Sequence, residues 1–249
     1  MDRRGFLKMS TIMACGGICD LYADTNRYKY LQDHEHKDFA TVFRKLKLIQ
    51  RQVGYGNFNI ISFDEAIKTA KRYKHIGEFS IKELNLMEKI FYMDAATLGF
   101  YGKRTVSEIT HKIDTTKVVK IENSGHYLFK GKPKEDYERI LKDVGPTLKL
   151  TSGVRSVIKQ SYLFYGKVMR LNGNLSLASF NIAPPGYSYH TIRDFDVGRK
   201  DWGYANFTSR FATTKEFSML RRLKYISMRY GINNSYGVRF EPWHIKVIL

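Results

Sequence analysis

Hydrophobic positions recur at helical spacing through the first half of the chain. The stretch "DFATVFRKLKLIQRQV" places Phe39, Val42, Phe43 and Leu46 at i, i+3, i+4 and i+7, with Ile49 continuing the same face. Three Ser/Thr-x-x-Glu boxes follow, at Ser62–Glu65, Ser80–Glu83 and Thr105–Glu108. Each marks a helix start, because the paired side chains can satisfy free N–H groups of a first turn. The second box introduces the longest apolar helix, with Leu84, Met87, Phe91, Ala95 and Leu98 on one side. "PKEDYERILKDVG" predicts a shorter helix with Pro133 at its start, Gly145 past its end and Tyr137, Ile140, Leu141 and Val144 as its buried stripe. Residues 37–145 therefore read as mostly helical.

Past Gly145-Pro146 the pattern changes to short strand-like runs broken by Gly and Pro: "LKLTSGVRS", "LASFNIAPPGYSYH", "DFDVG" and "YGVRFEPWHIKV". One helix is expected among them, over 216–229. Thr213–Glu216 is its capping box, Phe217, Leu220, Leu223 and Ile226 its stripe, and Gly231 its C-cap. No internal repeat is evident. The pattern predicts an α+β fold, with a small antiparallel sheet and flanking helices from residue 146 onward, preceded by a mostly helical region over 24–145.

Composition adds a bias toward anionic partners. The chain has 249 residues, and its 42 Lys and Arg against 24 Asp and Glu give a formal charge of +18. Nucleic acid, a membrane surface or an acidic wall polymer would each be attracted. The basic residues are spread along amphipathic patterns such as "RRLK" and "KRYK", where they serve as solvated helix faces. With no RNP-like motif, zinc-finger spacing or basic-zipper heptad, no nucleic-acid partner is expected. Both cysteines, Cys15 and Cys19, precede residue 20, which excludes a disulfide framework or thiolate zinc site in the body of the protein.

The N-terminus reads as an address. "MDRRGFLKMSTIMACGGICDLYADT" resembles a twin-arginine export signal, with Arg3, Arg4, Phe6, Leu7 and Lys8 in the pattern and Asp2 departing from it. Soluble export with residues 1–23 removed is the preferred reading. The alternative takes "IMAC" as a lipoprotein box and Cys15 as a lipid anchor. No segment is long and apolar enough to be a transmembrane span.

The candidate chemistry lies near the C-terminus. Only two of the seven histidines, His190 and His244, follow residue 145. Asp196 and Asp194 stand close to the first, and Glu241 lies three positions before the second. Positions three apart on a regular strand face opposite sides, so Glu241 and His244 can share a site only if Pro242 ends or distorts the ladder. Taken singly, each histidine reads as a packed or surface residue. His75, His111 and His126 have no partners at ligand spacing, and His34, Glu35 and His36 in "DHEHK" read as a solvated linker.

Four motifs in order change that reading: "SGVRS" (152–156) with Gln160 beyond it, "APPGYSYH" (183–190), "DVG" (196–198) and "EPWHIK" (241–246). Together, over roughly residues 146–249, they resemble the zinc D-Ala-D-Ala carboxypeptidase/dipeptidase family of VanY- and VanX-type enzymes. The resemblance implies a Zn2+ ion held by His190, Asp196 and His244, one per chain. It implies Glu241 as the general base and Arg155 as the cation that stabilises the tetrahedral oxyanion or binds a substrate carboxylate. Ser188 and Gln160 become substrate-binding candidates, and Trp243 a core residue beneath the site.

One departure stands out. Five residues separate His190 from Asp196 where the family has six, the family's glycine is missing, and Arg193 occupies that neighbourhood. Asp194 is therefore the rival third ligand, with Asp196 preferred because "DVG" follows it. The function implied is hydrolysis of peptidoglycan peptides outside the cytoplasm, as a D,D-carboxypeptidase. The alternatives are an L,D-carboxypeptidase, a dipeptidase, an endopeptidase or a non-catalytic wall-binding protein.

Overall fold

The computed structural model describes residues 28–248. Its N-terminal half is built from three helices: α1 (His36–Val53), α2 (Phe63–Arg72) and α3 (Ile81–Tyr92). The Ser62 and Ser80 boxes cap α2 and α3 as expected, each with the reciprocal glutamate bond in place. α3 stops at Tyr92, so Ala95 and Leu98 reach the core from a separate 3-10 turn. The "DHEHK" segment is not a linker. Asp33–Glu35 forms a 3-10 turn that runs into α1, and Glu35 is buried against Lys89 at 2.6 Å.

Two further elements depart from the expected helical run. Thr105 starts no helix; its hydroxyl donates instead to the carbonyls of Gly186 and Ser188, both at 3.1 Å. A hairpin of β1 (Val118–Ile121) and β2 (His126–Phe129) precedes α4 (Lys132–Val144), which has Pro133 in its first turn and Gly145 after it.

The second half carries a four-stranded antiparallel sheet. Its strands are β3 (Leu148–Ser152), β4 (Phe195–Arg199), β5 (Ser227–Met228) and β6 (His244–Lys246), in the order β3-β4-β6-β5. Between β3 and β4 the chain forms α5 (Val157–Arg170), capped by Ser156, and α6 (Leu175–Asn181), capped by Asn174. Neither helix is expected from the local pattern. The predicted helix over 216–229 shrinks to α7 (Lys215–Leu220), and its cap is Thr214 rather than Thr213. Beyond Leu220 the residues turn and pair as β5, with Leu223 and Ile226 still packed on the sheet's core.

The architecture is α+β, with two main apolar clusters. One joins α1, α2 and α3 to α5 and α6, with Phe39 and Tyr165 rings 4.8 Å apart. The other lies between the sheet and α4 and α7, centred on Leu150, Phe195, Val197, Ile245, Ile140 and Leu220. Burying each such side chain contributes about 1.5–3 kcal/mol. Strand alternation decides what remains for chemistry. Phe195 and Val197 point into this cluster, so Asp196 between them points to the other face; Ile245 does the same for His244.

Candidate metal centre

Strand pairing brings the first two residues of the site together. Asp196 and His244 are register partners across β4 and β6, which puts their side chains next to each other on the face away from the core. The third, His190, comes from a 3-10 turn (Tyr189–Thr191) that ends the "APPGYSYH" segment. All three are buried, and one potential ligand atom from each lies within 4.8 Å of the others.

The hydrogen bonds fix which atoms face inward. His190 Nδ1–H donates to the Gly153 carbonyl at 2.9 Å, so its Nε2 carries the lone pair. That Nε2 lies 3.2 Å from Asp196 Oδ1, and both atoms are buried with no hydrogen-bond partner. His244 Nε2–H donates to Asp194 Oδ2 at 2.9 Å, turning Nδ1 toward Asp196 Oδ1 at 3.3 Å. Three acceptor atoms therefore converge on one another. Orphaned acceptors in that arrangement cost free energy unless a cation lies among them. A tetrahedral ion with two histidine nitrogens and one carboxylate oxygen fits this donor set.

Electrostatics points the same way. Burial, with the Arg155 charge adding to it, holds His190 down to about 4 and so neutral. Burial also works against a charged His244. The bonds to Asp194 and Glu241 and the Asp196 charge outweigh it, lifting His244 to about 9. This cluster of carboxylates stabilises positive charge at Nδ1, a proton in the metal-free site that a bound cation would replace. Asp196 stays below the usual carboxylate range despite its burial, because His190, Arg155 and His244 favour its charged form.

Asp194 faces elsewhere. It forms a buried ion pair with Arg229, whose Nη2 donates to Oδ1 at 3.1 Å, and it also accepts from His244 Nε2 and from the Val247 amide at 3.2 Å. It thus orients His244 from behind rather than joining the converging group. Arg193, its neighbour in the sequence, is not its ion-pair partner. Arg229 stacks on Tyr189 at 3.5 Å and is a residue the sequence reading missed. Its signal was the alternation of Ile226, Met228 and Tyr230 with Ser227 and Arg229, which marks a strand rather than a helix.

Glu241 reaches the same side as His244 through a turn. The His244 amide donates to the Glu241 carbonyl at 3.2 Å, closing Glu241-Pro242-Trp243-His244 as a four-residue turn that suspends strand alternation. Glu241 Oε2 then lies 3.6 Å from His244 Nδ1. Burial raises its pKa, with His244 opposing. Trp243 is buried in the sheet's cluster.

Arg155 and Gly153 explain the "SGVRS" segment. Arg155 donates through Nε to Ser152 Oγ at 2.8 Å and through Nη2 to Asp196 Oδ2 at 2.6 Å, which leaves Oδ1 to face the histidines. A Cβ on Gly153 would lie 2.0 Å from the Tyr127 carbonyl oxygen, so only glycine lets the loop approach β2 and aim its own carbonyl at His190. A cavity of about 400 Å³ opens over the centre. Ser188 and Gln160 both line it; Gln160 Nε2 donates to the Ala183 carbonyl at 2.6 Å, and its buried Oε1 has no partner.

The family model of VanY, D-alanyl-D-alanine carboxypeptidase, matches residues 135–248. That segment belongs to the VanY family. The VanY-family segment begins inside α4, holds every residue of the centre described above, and is that of a peptidase. No match was found among curated proteins. Solved structures similar to the chain include the LdcB LD-carboxypeptidase (21% identity, TM-score 0.46, 55% of this chain and 70% of that one). The D,D-dipeptidase VanXYg with a D-Ala-D-Ala phosphinate analogue is 20% identical, with a TM-score of 0.44 over 50% of this chain and 51% of its own. A mutant of the D,D-pentapeptidase VanY in complex with Zn(II) is 19% identical, with a TM-score of 0.42 over 61% of this chain and 88% of its own.

No helix among the described residues is long and apolar enough to cross a membrane. The export segment 1–23 and the lipoprotein alternative at Cys15 lie outside the described residues.

Proposed function

We propose that this protein is an exported zinc metallopeptidase that hydrolyses peptidoglycan stem peptides, acting as a D,D-carboxypeptidase. In this reading residues 1–23 are the export signal and residues 146–249 carry the peptidase chemistry. One observation carries it: His190 Nε2, Asp196 Oδ1 and His244 Nδ1 meet as partnerless or carboxylate-facing acceptors with Glu241 beside them. Membership of residues 135–248 in the VanY family supports the substrate class.

His190, Asp196 and His244 would hold one Zn2+, a Lewis acid that when bound lowers the pKa of water to about 7. Glu241 takes a proton from the attacking water and returns it to the leaving amine nitrogen. Its burial suits that task, since a carboxylate with a raised pKa is the stronger base. Arg155, which lines the cavity, stabilises negative charge developing on the scissile carbonyl oxygen. Gln160 Oε1, a buried acceptor without a partner, is placed to receive a substrate N–H. Ser188 contributes to the same wall.

The test combines metal analysis with a digest of defined muropeptides read by mass spectrometry. About one zinc per chain is expected, with loss of a single C-terminal D-alanine. Glu241→Gln should retain zinc and lose at least about a hundredfold in turnover. Absence of zinc after supplementation, or full turnover in the Glu241 variant, would refute the reading.

A further inference from the structure

Lys159 sits on the first turn of α5 and lines the cavity next to Arg155. Its position is electrostatically adverse. A helix N-terminus carries partial positive charge, the first turn of α5 has no acidic residue, and Arg155 adds a full charge one turn earlier. Lys159 Nζ has no hydrogen-bond acceptor and no carboxylate in ion-pair range among the described residues. It lies 5.7 Å from the Phe58 ring centre and 5.8 Å from that of Tyr162. Burial and the Arg155 charge pull its ammonium down to about 8.

Four other cations line this cavity, and of these Lys167 and Arg170 lie in the last turn of α5, away from Arg155 and Lys159. Lys167 meets Asn181 at 3.5 Å and closes the C-terminal end of α5, where positive charge is favourable. Arg239 lies over Trp243 at 5.0 Å and faces Glu241 at 3.8 Å. Arg155 has already committed Nε to Ser152 and Nη2 to Asp196. Nε and one Nη2 hydrogen are therefore in use, and the remaining donors of Arg155 are assigned to the scissile carbonyl in the proposed mechanism, so a substrate carboxylate calls for a second cation.

We propose that Lys159, assisted by the remaining face of Arg155 and the start of α5, forms an anion subsite that holds a carboxylate of the peptide substrate. Gln160 Oε1, buried and without a partner on the neighbouring position, supplies an acceptor for an amide N–H of the same peptide. Lys159 is thus a specificity-determining residue: it selects peptides bearing a free carboxylate near the scissile bond. The inference rests on the peptidase reading. The carboxylate has two sources in such a peptide, the C-terminus itself or an acidic side chain on the acyl side.

Four peptides separate these sources: N-acetyl-Gln-D-Ala-D-Ala and N-acetyl-Glu-D-Ala-D-Ala, each as free acid and C-terminal amide. With the zinc-loaded full protein, Lys159→Met should raise KM for the preferred peptide by about ten- to hundredfold, the loss of one charged hydrogen bond. The kcat should stay within about threefold, and Lys159→Arg should recover most of the affinity. If the variant loses discrimination between acid and amide, the C-terminus occupies the subsite; if between Glu and Gln, the side chain does. The peptide-free Lys159→Met protein should melt no lower than wild type, because the lysine's charge is adverse when no anion is bound. Equal KM for all four peptides in wild type and Lys159→Met would overturn the proposal. Should wild type cleave none of them, the peptidase reading fails, and calorimetry with the same peptides still decides the subsite. Binding at least tenfold weaker in Lys159→Met supports it, and equal or absent affinity overturns it.

Discussion

Asp194 and Asp196 stand two residues apart, yet their surroundings predict different losses of zinc affinity for the same substitution. Asp194 accepts hydrogen bonds from Arg229, His244 Nε2 and the Val247 amide, and its side chain and that of Arg229 are 0% and 7% exposed. In Asp194→Asn the new NH2 must face either Arg229 or His244, both of them donors. Breaking a buried ion pair from one side costs about 3–5 kcal/mol. For a domain of this size each kcal/mol moves Tm by about 2–4 °C, so the metal-free variant should melt about 6–20 °C lower. Zinc affinity should fall about ten- to hundredfold, the usual effect of losing the group that orients a histidine ligand.

Asp196→Asn should behave differently. Its amide oxygen can still accept from Arg155 and its NH2 can donate to His190 Nε2, but the negative charge that faces Arg155 and His244 is gone. The metal-free Tm should fall here too, because the carboxylate charge stabilised by Arg155 is removed, while zinc affinity falls by more than about a hundredfold because a ligand itself is lost. Thermal melts with and without chelator, together with zinc competition titrations, measure both quantities. Zinc affinity retained in Asp196→Asn, or lost more steeply in Asp194→Asn than in Asp196→Asn, would refute the assignment of roles.

Two other substitutions probe the framework. Gly153→Ala would set a methyl group 2.0 Å from the Tyr127 carbonyl and displace the carbonyl that fixes His190; a loss of about 1–3 kcal/mol is expected, with zinc affinity down at least about tenfold, by the same two assays. Ser80→Ala removes the oxygen that caps α3 while leaving the VanY-family segment untouched; it should cost about 1 kcal/mol in a thermal melt, with zinc content and KM unchanged.

The α+β class was legible because helix caps and apolar spacing are local signals. Ser62 and Ser80 cap their helices with reciprocal bonds that four residues of sequence can specify. The residues of "APPGYSYH", "DVG" and "EPWHIK" are those that converge at the centre, and the requirement that Pro242 break strand alternation corresponds to the turn found there. What the pattern concealed depends on distant partners. α5 is buried on both sides, by the N-terminal helices and by the cavity, so its apolar residues trace no single stripe. Thr105 has the sequence of a helix cap, but its hydroxyl gains two carbonyl partners from a loop far along the chain. The choice between Asp194 and Asp196 is a matter of register, since the pairing of β4 with β6 decides which aspartate faces His244 Nδ1 and which its Nε2.

The loops on either side of this pairing are held in part by the segment around residues 99–106, ahead of the VanY-family match. Thr105 binds the carbonyls of Gly186 and Ser188, Arg104 binds the Phe91 carbonyl and the Tyr187 hydroxyl, and the Lys103 amide donates to the Tyr189 hydroxyl. These contacts grip the loop that ends in His190. The Tyr101 amide donates to the Tyr236 carbonyl at 2.9 Å, and Gly237 passes so close that a Cβ there would lie 1.8 Å from the Gly99 carbonyl oxygen. These contacts grip the loop that leads to Glu241. One short segment of the N-terminal half therefore fixes both the turn carrying the first histidine and the approach to the carboxylate beside the second. Since α1, α2 and α3 also pack against α5, which begins just after Arg155, the N-terminal half acts as the mould in which the centre is set. Through these contacts it helps position groups that lie elsewhere in the chain.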